Sequence, residues 1–229
     1  MNHADYTHPP FPDVLTRVVV VDLETSGLIP GTHAILEIGA VPLDPRRLFT
    51  FEAHVRREWW QEWDPKAVEI HGLDKERAMN HRDRVTDAVA VEDFMDWLDD
   101  IFLAGIEGRA VLAGMNPRFD REFLAQVAGR LDLGARFDGL VSHRTIDLHT
   151  LAVSAFWRNL DYEPAIFPRG LDSINTDAIY GLLGMGPEPK PHRALEGARR
   201  EAAAIRSLLL GGLSEMGKIT SANLEPAVA

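Results

Sequence analysis

Cysteine is absent from the 229 residues, which excludes disulfides, thiolate metal sites and a thiol nucleophile, so any metal must be held by oxygen or imidazole. Long hydrophobic runs are missing as well. No stretch approaches the roughly 20 apolar residues of a membrane helix, and the opening MNHADYTHPPFPDVLT lacks the apolar centre of a signal peptide. A cytoplasmic protein with no membrane partner is the expectation. Positive charge is scarce, because 24 Lys and Arg face 35 Asp and Glu and leave a formal charge of −11. Such a chain is unsuited to coating nucleic acid, which requires Lys and Arg to neutralise many phosphates. An enzyme that grips only a strand end is still compatible, since divalent cations held by carboxylates supply positive charge. The sequence also lacks internal repeats and low-complexity blocks.

What the chain does hold is the composition of a folded domain, with 45% hydrophobic and 26% charged residues, in a length that suits one α/β domain. Residues 1–16, with His8, Pro9, Pro10 and Pro12, read as an extended arm. Residues 17–210 read as the domain, and residues 211–229, which have no periodicity, as a flexible tail. RVVVVDLE is almost continuously apolar and β-branched up to its acids, as a strand covered on both faces would be. ILEIGAVPLD and LFTFEAHVR follow as strands around Asp44 and Pro45, giving a three-strand meander. VEDFMDWLDDIFL places Val91, Phe94, Met95, Leu98, Ile101 and Phe102 at helical spacing. AVLAGMN reads as a buried strand, Pro117 as a break, and FDREFLAQVAGRLD as a helix; LDSINTDAIYGLLG and ALEGARREAAAIRSLLL read as two more. The class is α/β, a mixed sheet flanked by helices.

Asp22 and Glu24 stand two apart at the end of the valine strand, where the period of two points both carboxylates to one face. Two converging acids repel unless a cation lies between them, and Mg²⁺ or Mn²⁺ suits oxygen ligands. The alternative is an exposed strand end without a role. Asp120 follows the strand AVLAGMN and opens a helix, where it is either a ligand or a cap. His192 precedes the last helix, as a surface residue or a proton acceptor.

In order, VVVVDLETSGL, AILEIGAV, IHGL, GMNPRFDREFL, RTIDLHTLA and PHRALEGARREA resemble the motifs of the DEDDh (DnaQ-like) 3′→5′ exonucleases. That family includes polymerase proofreading subunits, ribonuclease T and oligoribonuclease. The resemblance runs from about Arg17 to Leu210 and implies a ribonuclease-H-like fold. It also implies hydrolysis of single-stranded DNA or RNA 3′ ends to nucleoside monophosphates with two Mg²⁺ or Mn²⁺ ions. Asp22 would bridge both ions, Glu24 would bind one, Asp120 would hold the second through water, and His192 would be the general base. Thr25, Ser26 and Leu28 would border the terminal nucleotides, and His71 and Phe119 would line the pocket for the last base. A polymerase or a second copy of the chain is a compatible partner.

At one position the sequence departs from this pattern. The family has an aspartate five residues after the histidine, whereas this chain has Gly197, preceded by Glu196. Glu196 is the candidate substitute, although it lies about 100° around the helix from the expected direction. An acid restored at position 197 is expected to be tolerated, since Gly is already about 1 kcal/mol worse than Ala inside a helix, and to raise activity at limiting Mg²⁺. Gly197 also keeps open a different class of function, a binding or assembly module on an exonuclease fold without efficient catalysis. Trp59, Trp60 and Trp63 serve either single-strand stacking or loop packing. Lys190 and Arg193 are candidate phosphate contacts, with solvated surface charge as the alternative.

Overall fold

The computed structural model describes residues 12–80, 82, 84–159 and 174–210. Most of the expected arm and the expected tail lie outside these residues. Within the arm, Asp13–Leu15 form one 3₁₀ turn rather than extended chain, closed by Thr16 donating to the Asp13 carbonyl. Five strands, β1 (Val18–Thr25), β2 (Ile35–Pro42), β3 (Phe51–His54), β4 (Ala110–Gly114) and β5 (Val141–Asp147), make one sheet in the order β3-β2-β1-β4-β5. β1 is antiparallel to β2 and parallel to β4, and β3 pairs antiparallel with β2, so the expected meander forms. Asp44, in the β2–β3 connection, accepts from the Arg46 backbone N–H and side chain, which fixes that turn.

Helices cover both faces. α3 (Asp87–Asp96), α4 (Pro117–Arg130) and α5 (Gly134–Leu140) pack on the face of β1 that carries Val19, Val21 and Leu23. On the opposite face, with Val18 and Val20, lie α6 (Leu148–Asn159), α7 (Thr176–Leu182) and α8 (Ala194–Leu210). Strand alternation therefore sends the side chains of Asp22 and Glu24 to the α8 side. Each fully buried β1 valine contributes roughly 1.5–3 kcal/mol of hydrophobic stabilisation, which anchors the strand that presents the acids. Two short helices complete the α set, α1 (Pro65–His71) and α2 (Lys75–Asn80); Asp64 caps α1 by accepting from the Lys66 N–H.

The expected amphipathic helix over residues 91–103 ends early, at Asp96. Trp97–Phe102 form a π-helical turn, in which the Leu103 N–H reaches back five residues to the Leu98 carbonyl. That longer repeat turns Ile101, expected on the apolar face, outward to 44% exposure. No helix among the described residues is long and apolar enough to cross a membrane.

Candidate active site

Close approach of α8 to the sheet builds the site. A Cβ on Gly39 of β2 would lie 2.3 Å from the backbone of Ala194 and Leu195, so only glycine lets the start of α8 rest on β2. Gly39 is the cross-strand partner of Asp22, and Glu37 is that of Glu24. The start of α8 is therefore carried directly over the two acids. Buried Glu37 fastens it there: its Oε2 accepts from the Ala194 N–H at 3.3 Å, and its Oε1 lies 3.7 Å from both Arg84 and Arg193. Arg193 in turn donates to the carbonyls of His71 (2.9 Å) and His192 (3.0 Å).

A cavity of about 490 Å³ opens where these elements meet. Asp22, Glu24 and His192 line it together, as the sequence leads one to expect. Burial, with the neighbouring Glu188 and Glu37 charges, pushes the Asp22 carboxyl up to about 7. Burial and the charge of Asp22 push Glu24 up to about 9. Asp120, at the start of α4, is buried behind this surface and is not part of the cavity wall; burial and the Asp22 charge raise it well above the usual carboxylate range. Among the described residues no three acidic or histidine side chains are already gathered around one point as ligands. The donor chemistry nevertheless fits hard divalent cations: the acids are oxygen donors, desolvated and mutually repelling, and they outnumber the softer donors of the lining, the imidazoles of His71 and His192 and the Met115 thioether.

Of the expected substrate contacts, Thr25, Leu28, His71 and Phe119 line the cavity. Leu28 is exposed, and Phe119 lies against Phe123 with ring centroids 4.8 Å apart. Phe119 thus both anchors α4 and faces the cavity. His71 is buried, accepts from the Leu73 N–H at Nδ1, and is held down to about 4 by burial and by Arg193. It is neutral near pH 7 and carries its proton on Nε2.

Ser26 departs from expectation. Its side chain is buried, donates to the Glu62 carbonyl (2.7 Å) and accepts from the Ala34 N–H (2.8 Å), so it ties loops together and does not line the cavity. Glu196 also departs: it is exposed on α8 and outside the cavity, because the helical rotation is not overcome by its longer side chain. A Cβ at Gly197 would sit 2.0 Å from Asp22 Oδ2, so an acid there displaces the acid it was expected to assist. Arg193 turns inward to backbone carbonyls and Glu37, while Lys190 is exposed. The three tryptophans split. Trp63 packs edge-on to His71, Trp60 lies under Arg130, and Trp59 is 78% exposed.

The cavity also contains acids that sequence reasoning passed over. Glu188, in the loop before His192, places Oε2 3.8 Å from His192 Nδ1. Glu201 of α8 is buried, and its Oε2 has no hydrogen-bond partner. Its position four residues after Gly197, on the same helix face, was the available signal. Lys66 of α1 also lines the cavity and brings the one lysine to its rim.

Residues 19–204 match the RNase_T family, described as exonuclease. Among known proteins the chain is similar to the 3′-5′ DNA exonuclease Cap18 of Escherichia coli, 33% identical over 46% of this chain and 54% of that protein. It is also similar to the PolC-type DNA polymerase III of Thermotoga maritima, 29% identical over 88% of this chain and 13% of the polymerase. The chain thus spans about half, or much less, of the length of these relatives. Among solved structures, the nuclease domain of 3′hExo, a DEDDh family member bound to rAMP, superposes with a TM-score of 0.62 at 16% identity, covering 85% of this chain and 92% of that one. Exonuclease I of E. coli in complex with a dA16 oligonucleotide gives 0.63 at 16% identity, covering 87% and 41%. These two similarities bear on the fold, and the fold is the expected ribonuclease-H-like one.

Proposed function

This chain belongs to the RNase_T exonuclease family, and we propose that it is a metal-dependent 3′→5′ exonuclease releasing nucleoside monophosphates from single-stranded DNA or RNA ends. One observation carries the reading. Asp22 and Glu24 from β1 and His192 from the entrance to α8 open into a single cavity, with Asp120 buried behind them. Relatives support the choice of substrate: one is named a DNA exonuclease, one solved neighbour holds a deoxyadenosine oligonucleotide and another holds rAMP.

Asp22, Glu24 and Asp120 would hold two Mg²⁺ or Mn²⁺ ions, which when bound stabilise the charge on the attacking and leaving oxygens. His192 accepts the proton of the attacking water at Nε2, its Nδ1 being turned toward Glu188. His71 borders the same pocket as a neutral ring whose Nε2 is buried and without a hydrogen-bond partner, and Phe119 offers a ring face for the terminal base, a contact worth roughly 1–3 kcal/mol. Thr25 and Leu28 border the same end.

The test follows 5′-labelled single-stranded DNA and RNA with Mg²⁺ or Mn²⁺. We expect a ladder shortening from the 3′ end, blocked by a 3′-phosphate and lost in chelator and in Asp22→Ala. Full activity of Asp22→Ala in a preparation free of contaminating nuclease, or cuts in circular single-stranded DNA, would remove the assignment. Gly197 favours a second reading, a binding module on this fold. Strand binding without shortening in either metal would establish it.

A further inference from the structure

The family pattern leaves this site one acid short, and Gly197 marks the gap. We infer that Glu188, from the loop between α7 and α8, supplies the fourth carboxylate of the metal site in place of the acid missing from α8. This rests on the exonuclease reading above.

The first argument is position. A Cβ at residue 197 would lie 3.4 Å from Glu188 Oε1, an ordinary van der Waals separation, so this carboxylate borders the space beside position 197. The Glu188 carboxylate therefore stands at the edge of the gap, reaching it from the loop between α7 and α8 and lining the same cavity as Asp22, Glu24 and His192. The absence of a side chain at 197 makes the room, since its Cβ would overlap Asp22 Oδ2. The loop that carries Glu188 is tied down, with the Glu188 N–H donating to Asp177 Oδ1 at 3.0 Å. One Glu188 oxygen faces the gap while the other lies 3.8 Å from His192 Nδ1, so the same carboxylate can orient the histidine.

The second argument concerns which acids share a neighbourhood. Glu188 acts electrostatically on both Asp22 and Glu24, the two acids of β1. Glu201 instead has Asp22 and Asp120 as its leading charged neighbours, and its Oε2 lies 2.7 Å from where a Cβ of Gly114 would be, beside the end of β4. The vacated position belongs with Asp22, Glu24 and His192, which is the Glu188 side. Independently of Glu188, Glu201 marks the cavity as a cation site, because its buried Oε2 lines the cavity without a hydrogen-bond partner and an unpaired buried carboxylate oxygen is costly.

Calorimetric titration of the full chain with Mn²⁺ tests the inference, run beside melting curves in chelator. Wild type is expected to take up two ions. Glu188→Gln should lose one of them or bind it at least 10–100-fold more weakly, with an unchanged melting temperature in chelator. Asp22→Asn should lose both. If Glu188→Gln titrates like wild type while Asp22→Asn does not, the inference is overturned and the exonuclease reading stands. If Glu201→Gln rather than Glu188→Gln removes the ion, the fourth acid belongs to α8 and the inference is likewise overturned. If Asp22→Asn titrates like wild type, the metal site itself is misplaced and both readings fall. Should Glu188→Gln not fold in chelator, Glu188→Asp keeps the charge but shortens the reach. Weakened uptake of one ion then supports the inference, and wild-type uptake overturns it.

Discussion

Arg193 shows how a surface charge in the sequence becomes a positioning group in the fold. The alternatives for it were a phosphate contact or solvated charge, yet its guanidinium spans the His71 and His192 carbonyls and Glu37. All three contacts come from one nitrogen, Nη1, which the planar guanidinium holds more rigidly than the flexible stem of a lysine would hold its ammonium. Arg193→Lys should therefore lower kcat about tenfold, on the basis that a hydrogen bond from a charged group contributes roughly 1.5–3 kcal/mol. KM should change much less, because His192 rather than the strand is displaced. A variant that raises KM at constant kcat would mean that Arg193 binds phosphate after all. At this scale the sequence was legible where a residue's register is fixed by a regular element. Asp22 and Glu24 on β1 converge as strand alternation requires. Glu188 was illegible because it sits in the Pro-rich loop GMGPEPKPH, where no period relates its direction to the strand acids. The direction of the Ser26 side chain is not legible, because its partners, the Glu62 carbonyl and the Ala34 N–H, come from loops whose paths the sequence does not reveal.

At the scale of elements, the site depends on how closely α8 lies against β2 and β1. Gly39→Ala introduces a Cβ 2.3 Å from the backbone of Ala194 and Leu195, which no side-chain rotation can relieve. Overpacking of this kind costs about 1–3 kcal/mol, which for a domain of this size lowers Tm by roughly 2–12 °C. It should also cost activity beyond the stability loss, because α8 carries His192 away from Asp22. An alanine variant with wild-type Tm and turnover would show that α8 adjusts freely. The long, strongly periodic elements were legible: β1, the meander, β4, α4 and α8 all lie where their patterns put them. α1 and α2, of seven and six residues, are too short to establish a helical period. β5 is not legible in the sequence, since VSHRTID alternates poorly and lies at the sheet edge. The π turn after α3 left no mark in composition, only in the outward turn of Ile101.

For the molecule as a whole, the acidic excess behind the formal charge of −11 has its clearest consequence at the cavity lined by Asp22, Glu24, Glu188 and Glu201. Asp22 is pushed up to about 7 and Glu24 to about 9, both mainly by burial. A carboxyl whose folded pKa exceeds its unfolded value binds its proton more tightly in the native state, so its contribution to stability is present at low pH and is lost as pH rises through the folded pKa. His71, held down to about 4, acts in the opposite sense, but only between about 4 and its unfolded value near 6.5. Between pH 7 and 9 Glu24 is thus the clearest contributor. The cation-free protein should lose on the order of 2 kcal/mol across that interval, at about 1.4 kcal/mol per pH unit for one proton, or about 4–8 °C in Tm. Divalent cations should reverse the trend, because a bound ion favours the ionised carboxylates and adds its binding free energy to the native state alone. The gap in Tm between protein in millimolar Mg²⁺ and protein in chelator should therefore be small near pH 6 and widen steadily toward pH 9. Glu24→Gln should flatten the chelator curve above pH 7 and shrink the gap. Melting curves at constant ionic strength, recorded at half-unit steps, read this directly. A gap that stays constant from pH 6 to 9, with Glu24→Gln indistinguishable from wild type, would show that these carboxyls are already ionised without a metal and that burial does not govern the site.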